Sequence, residues 1–191
     1  MNKSDLRKAY LERRRSISYE THSEQSSKIS RNLFAAIDPG TLKAIQSFIS
    51  MRHFGEVETQ LVLEYFWESH PDVLTTAPRI DDVSGEIESV IFQRETPLVE
   101  NKWKIPEPAG EQTLPPKHLD LVIVPLLCFD AQGHRVGYGR GFYDRFLRKC
   151  RPDCIKAGLS FFPPVDLIDD AHGGDVRLDL CITPRETYRF S

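Results

Sequence analysis

Apolar positions in the first forty residues recur with a helical period. Leu6, Ala9 and Tyr10 form one stripe within Lys3 to Ile17, and Ile29, Leu33 and Ile37 repeat every four residues within Glu20 to Ile37. Two helices are expected. The first ends in Arg13, Arg14 and Arg15, a basic run that reads as a solvated face, and the second stops at Asp38-Pro39-Gly40. The pattern then changes: Lys43 to Met51 predicts a strand, and Gln60 to Glu68 a short, densely apolar helix opened by Glu58-Thr59. Further strands are expected at Val73 to Ala77 and Ile87 to Arg94. From Thr96 to Pro116, five of the 13 prolines argue against regular structure.

The run Leu119 to Leu127 is apolar on both faces, as a strand buried within a parallel sheet should be. A glycine-rich turn follows over Gly133 to Gly141, then a helix over Phe142 to Arg148 and late strands at Ile155 to Phe161 and Leu180 to Thr183. No repeat of about 20–50 residues is present. Alternating strands and helices predict one α/β domain over residues 1–191.

Composition narrows the function classes. The 25 basic and 28 acidic residues leave a net charge of -3, so no molecule-wide field favours nucleic acid or an anionic membrane, and neither is expected as a partner. The longest apolar run, Leu121 to Phe129, contains Pro125 and falls far short of the roughly 20 residues a spanning helix needs. Lys3, Asp5 and Arg7 stand where a signal peptide would be apolar, which predicts a cytoplasmic protein. Cys128, Cys150, Cys154 and Cys181 are few and unevenly spaced, as thiols filling a core in a reducing compartment are.

Candidate chemistry gathers in Gly137-Tyr138-Gly139-Arg140-Gly141-Phe142-Tyr143-Asp144, between a buried strand and a helix. Alternate glycines let a backbone approach a ligand closely, and amides at a helix start favour an anion. Arg135 and Arg140 supply bidentate donors for phosphate, and Asp144 a hard oxygen ligand for magnesium. The competing reading is a tight turn that needs glycine, with its arginines in solvent. Lys3 and Arg7, one turn apart, can clamp a polyphosphate or form an exposed basic face. Glu56 can accept hydrogen bonds from a heterocycle, while Glu58 or Thr59 caps the next helix. Trp103, among the prolines of Lys102 to Pro108, is a stacking platform or a packing plug. Asp175 and Asp179 follow Gly173-Gly174, where a second acidic metal ligand could stand. His134 and His172 read as exposed loop histidines. No Gly-x-Ser-x-Gly or His-x-x-x-His pattern supports a hydrolase triad or zinc catalysis.

The ordered series Lys3-Ser4-Asp5-Leu6-Arg7, Phe48-Ile49-Ser50-Met51 through Glu56-Val57-Glu58-Thr59, Trp103-Lys104-Ile105-Pro106-Glu107-Pro108 and Gly137 to Asp144 resembles the 5-formyltetrahydrofolate cyclo-ligase (methenyltetrahydrofolate synthetase) family. The resemblance runs from Lys3 to about Asp179. It implies a single three-layer α/β domain with a mostly parallel central sheet flanked by helices. It also implies ATP-driven, magnesium-dependent cyclisation of 5-formyltetrahydrofolate to 5,10-methenyltetrahydrofolate, releasing ADP and phosphate. ATP contact then falls to Lys3, Ser4, Asp5, Leu6 and Arg7, and to Arg135, Val136, Gly137, Tyr138, Gly139, Arg140, Gly141, Phe142 and Tyr143. Substrate contact falls to Ile49, Glu56, Trp103, Tyr138, Gly139, Arg140, Gly141 and Phe142, and magnesium to Asp144 and Asp175. Arg140 and Lys3 carry the catalytic charge.

The formyl oxygen would take the γ-phosphoryl group before N10 closes the ring. Arg52-His53-Phe54-Gly55 is a longer loop than the family pattern has, and the region after Ser160 diverges from it. A monomer is expected, as is a folate with or without a polyglutamate tail, for which the Arg13 to Arg15 run would serve if it lies near the site. The alternatives are a noncatalytic nucleotide-binding module of the same fold and a sugar-phosphate isomerase or acyl-transferring relative.

Overall fold

Asn2 starts the first helix: its side-chain oxygen accepts the Asp5 N–H at 2.9 Å, capping α1 (Lys3–Arg15). Ser18 caps α2 (Tyr19–Ala36) in the same way through the Thr21 N–H. The computed structural model describes residues 1–190. Both helices lie where the apolar period places them, but the basic end of α1 is not a solvated face. Arg14 continues the Leu6–Tyr10 stripe at the same spacing of four and is buried.

The strands, in chain order, are β1 (Ala44–Gln46), β2 (Leu74–Ile80), β3 (Ile87–Ile91), β4 (Leu98–Glu100), β5 (Pro106–Pro108), β6 (Thr113–Leu114), β7 (Leu121–Val124), β8 (Cys128–Phe129), β9 (Arg135–Val136), β10 (Ile155–Leu159), β11 (Leu180–Ile182) and β12 (Thr187–Arg189). The remaining helices are α3 (Gln60–Ser69) and α4 (Phe142–Leu147). Eight strands form one sheet in the order β12-β11-β10-β7-β1-β2-β3-β6. The pairs from β11 through β10, β7 and β1 to β2 are parallel, and β12, β3 and β6 add antiparallel edges.

Strand β7 lies at the centre, and its consecutive side chains serve opposite faces. Leu121 and Ile123 pack with Ile29 and Leu33 of α2 and Val62 and Phe66 of α3, while Val122 and Val124 pack with Phe146 and Leu147 of α4. Helix, sheet and helix thus make a single α/β domain of three layers. Helix α1 packs separately, through Leu6 and Tyr10, on Leu127, Cys128 and Val136. Cys128, Cys154 and Cys181 are buried and Cys150 half-buried, so the thiols do fill the core. No helix among the described residues is long and apolar enough to cross a membrane.

The first strand is shorter than its sequence suggests. After Gln46 the chain leaves the sheet through a 3-10 turn at Arg52–Phe54, and the loop closes through Ser50 Oγ, which accepts from Thr59 N at 2.7 Å. The proline-rich segment is not irregular either: β4 and β5 form an antiparallel hairpin. Asn101 N donates to Ile105 O and Ala109 N to Pro97 O, both at 2.9 Å. Pro106 and Pro108 therefore occupy the alternate positions, where the ladder requires no N–H.

Between β1 and β7 the strand order reverses: the chain runs from β1 outward to β2 and β3, then returns to the other side of β1 as β7. Open α/β sheets bind ligands at the carboxyl ends of strands flanking such a point.

Candidate active site

A cavity of about 780 Å³ opens there. Phe48, Ile49 and Pro125, just beyond β1 and β7, line it together with Pro78 and Ile80 from β2. Helix α1 contributes Lys3 and Arg7. The turn before α4 contributes Gly137 to Gly141, and Phe142, Tyr143 and Asp144 follow from the helix. Glu56, Trp103 and Asp175 complete the set that sequence reasoning proposed, and all of these meet in one cavity. Ser4, Asp5, Leu6 and Val136 do not line it: Leu6 and Val136 are core, and Asp5 is held by Asn2.

Asp130 stages the glycine-rich turn. It is fully buried, and its Oδ1 accepts the Gln132 and His134 N–H groups, each at 2.9 Å. His134 is not the exposed loop histidine expected, since its ring is part-buried and lies 3.2 Å from Asp130 Oδ2. Arg7 Nε donates to Gly137 O at 2.9 Å, tying the turn to α1. Gly139 has φ +92°, and a Cβ on it would stand 3.1 Å from the Arg7 guanidinium. Around Gly137, by contrast, a Cβ would meet nothing within 4 Å. The backbone at Gly137 is therefore open to a ligand, which is what a phosphate cradle needs. Helix α4 has only six residues, so its dipole adds little and the cations carry the attraction.

Arg135 is buried rather than aimed at open space. It donates to Val176 O and, through Nη2, to Asp144 Oδ1 at 2.8 Å. Asp144 Oδ1 also accepts Val176 N at 3.1 Å, which sets Asp144 beside the residue following Asp175. Lys3 Nζ donates to Asp175 Oδ2 at 2.6 Å, and the His172 N–H reaches the same oxygen at 2.8 Å. Burial pushes the Asp175 carboxyl up, but these bonds and the Lys3 charge outweigh it and leave Asp175 below the usual carboxylate range. Asp179 lies elsewhere, on Lys156 at 2.9 Å.

Two neighbouring carboxylates fit magnesium, which takes one or two of them plus phosphate oxygens and water. No group of three or more His, Cys, Asp or Glu side chains that could hold a metal occurs among the described residues.

The other half of the cavity is aromatic. Trp103 lies on the β4–β5 loop, 6.3 Å from the Phe142 ring, with the Arg140 guanidinium 4.7 Å above it. Its platform is stiffened by Asn101 more than by proline, as Asn101 Oδ1 accepts the Trp103 N–H at 2.9 Å and the Ile105 N–H at 3.1 Å. Glu107, 6% exposed, anchors that hairpin by accepting from Asn101 Nδ2 at 2.7 Å and from Ile80 N at 3.0 Å.

Glu56 is 3% exposed. Its Oε1 accepts from Tyr138 Oη at 2.6 Å, and its Oε2 from Met51 N at 2.9 Å. Burial raises its pKa; the hydrogen bonds from Tyr138 and Met51 and the charge of Arg14 oppose the rise. Neither expected helix cap forms at its neighbours: Thr59 Oγ1 donates to Phe48 O at 2.6 Å, and Glu58 lies 3.5 Å from His22 Nδ1.

Sequence reasoning missed Arg14, Asn101 and Glu107. Of these, only Arg14 left a signal, its place on the Leu6–Tyr10 stripe. The Arg13 to Arg15 run does not line the cavity, whereas Arg145 and Arg148 do.

Fold and cavity together define an α/β protein whose switch-point crevice sets a cationic, open-backbone cradle beside an aromatic slot holding a buried acid. Residues 1–171 match the sequence profile of the 5-formyltetrahydrofolate cyclo-ligase family, and the chain belongs to that family. It is 31% identical over 140 residues to the 5-formyltetrahydrofolate cyclo-ligase of Escherichia coli K12, covering 72% of this chain and 75% of that one. It is 27% identical over 184 residues to the Mycoplasma pneumoniae enzyme of the same name, covering 95% and 98%. The NMR structure of Aquifex aeolicus 5,10-methenyltetrahydrofolate synthetase superposes with a TM-score of 0.78 at 25% identity, over 99% of this chain and 93% of that one. The Mycoplasma pneumoniae synthetase structure gives 0.77 at 25% identity, over 96% and 99%.

Proposed function

We propose that this chain converts 5-formyltetrahydrofolate to 5,10-methenyltetrahydrofolate, consuming ATP and using magnesium. The observation that carries the reading is the joining in one cavity of Lys3, Arg7, Arg140 and the open backbone at Gly137 with Trp103, Phe142 and the buried acid Glu56. Family membership agrees with it.

An N-formyl amide is a weak electrophile. Transfer of the γ-phosphoryl group from ATP to the formyl oxygen makes that oxygen a leaving group. N10 of the folate then attacks the formyl carbon, and phosphate departs to leave the methenyl cation and ADP. The protein's part is positioning and charge neutralisation. Lys3 and Arg140 face the transferred group with N–H donors, and Arg7 holds the glycine turn against α1. Arg135 fixes Asp144, and Lys3 fixes Asp175 until a polyphosphate competes for its ammonium. Asp144 and Asp175 would hold magnesium, which when bound bridges phosphate oxygens and offsets their charge. Trp103 and Phe142 stack on the flat ring, and Glu56 accepts hydrogen bonds from its N–H edge.

The test is absorbance in the methenylfolate band with protein, 5-formyltetrahydrofolate and magnesium, started with ATP. A rise that needs all components, with one ADP per product, is expected. ATP binding without any rise would leave a noncatalytic nucleotide-binding module instead.

A further inference from the structure

Arg14 is the buried charge that the proposed chemistry does not use. Only 4% of it is exposed, although it sits in a run of three arginines. Among the described residues it makes no salt bridge. Its Nη2 donates to Leu126 O, just past β7, and its Nη1 to Tyr138 Oη at 3.3 Å. Tyr138 in turn donates to Glu56 Oε1.

The direction of this chain is forced. A guanidinium has donors and no acceptor, and a phenol has one proton. Tyr138 Oη therefore accepts from Arg14, and its proton must point at Glu56. One edge of Glu56 is thereby committed, and Oε2, which already takes the Met51 N–H, keeps its remaining lone pair for the cavity. The loop carrying Glu56 lies directly on Arg14: Gly55 has φ +59°, and a Cβ there would stand 3.5 Å from Arg14 Cβ.

We propose that Arg14 is a positioning residue for ligand recognition: acting through Tyr138, it keeps Glu56 ionised and presents Oε2 as an acceptor to an N–H-bearing heterocycle. Only the identity of that heterocycle, the pterin of a folate, rests on the cyclo-ligase reading.

A buried carboxylate without a nearby cation takes up a proton, and a protonated Oε2 would set a donor against the ligand's donor. The other groups around Glu56 are His53 on the 3-10 turn, Tyr143 on α4, and His22 on α2, which contacts the Glu56 carbonyl at 2.9 Å and faces Glu58. Arg14 alone among these is charged at every pH.

The experiment follows the carboxyl ¹³C resonance of Glu56 against pH without ligand, the signal being assigned by its loss in Glu56→Gln. Arg14→Gln should move that titration upward by about one pH unit or more, and Tyr138→Phe should move it in the same direction. Arg14→Lys, which keeps the charge, should shift it less. In turnover, Arg14→Gln should raise KM for 5-formyltetrahydrofolate roughly tenfold, as one unit of pKa implies. Its kcat and its KM for ATP should change by less than about threefold.

An unmoved Glu56 titration in Arg14→Gln overturns the proposal whatever the activity. If that variant does not fold, Tyr138→Phe decides, because it leaves the bond to Leu126 and cuts only the link to Glu56; an unmoved titration there overturns the relay. Failure of the wild-type protein to form methenylfolate would sink the cyclo-ligase reading and leave the titration result standing.

Discussion

Two glycines of the same turn separate what the fold needs from what the ligand needs. Gly139 has φ +92°, a backbone state that costs an L-residue about 1–2 kcal/mol. A methyl there also meets the Arg7 guanidinium at 3.1 Å and displaces the group whose Nε bonds Gly137 O. Hydrogen bonds from charged groups contribute about 1.5–3 kcal/mol. Gly139→Ala should therefore lower Tm by about 2–8 °C, from the strain alone at roughly 2–4 °C per kcal/mol for a chain of this size. Displacing Arg7 should weaken nucleotide binding by about 10- to 150-fold.

Gly137 carries no such strain, and its new methyl would meet no protein atom within 4 Å. Gly137→Ala should leave Tm within about 1–2 °C, since unstrained surface changes stay near 0.5 kcal/mol. Its affinity for magnesium-ATP should nonetheless fall tenfold or more, because the methyl occupies the path by which a polyphosphate reaches the backbone. Thermal melting and calorimetric titration of the two variants read both quantities. An unchanged dissociation constant in Gly137→Ala would refute the cradle at that position. A wild-type Tm in Gly139→Ala would refute the strain argument.

Four other outcomes are expected. Lys3→Met should reduce turnover roughly 100-fold or more, as loss of one donor to developing charge does, measured by the initial rate of methenyl formation. Asp175, held below its ordinary pKa, contributes stability that is present above about pH 4 and lost as pH falls through the lowered value; the Tm gap between wild type and Lys3→Met should shrink between pH 5 and pH 3, and a constant gap would contradict the pairing. Gln46 is fully buried with neither amide atom bonded among the described residues, so Gln46→Met should be neutral or should raise Tm, whereas a loss above about 1 kcal/mol would show that buried water pairs the amide. Burial pushes the Cys128 thiol up to about 12 and raises Cys154 and Cys181 as well, so an alkylating reagent at neutral pH should label only Cys150 in the native protein and all four thiols in urea, as counted by mass spectrometry.

The elements that sequence reasoning placed correctly are those whose side chains obey one local rule. Leu121 to Val124 is apolar without a break because it has a helix layer on each face, and nothing but an interior strand calls for that pattern. The stripes of α1 and α2 are as plain. The cradle was visible because Gly137, Gly139 and Arg140 are adjacent in sequence. What escaped depends on partners far along the chain. Pro106 and Pro108 look like strand breakers until the register with Leu98 and Glu100 shows that neither N–H is needed. Arg14 looks solvated between two exposed arginines, and only the arrival of Tyr138 and Leu126, 124 and 112 residues later, makes it interior. Arg135 was read as a phosphate ligand because nothing local reveals Val176 and Asp144 waiting for it.

The contact between Lys3 and Asp175 joins residues 172 positions apart. In a growing chain the first of these is made early and its partner late. At about 5–20 residues per second, roughly 10–35 s of synthesis separates the two. During that interval Lys3 and Arg7 already exist, but the pocket they belong to does not. A nascent chain therefore gains no stabilisation from nucleotide, however abundant, until its last quarter has been made.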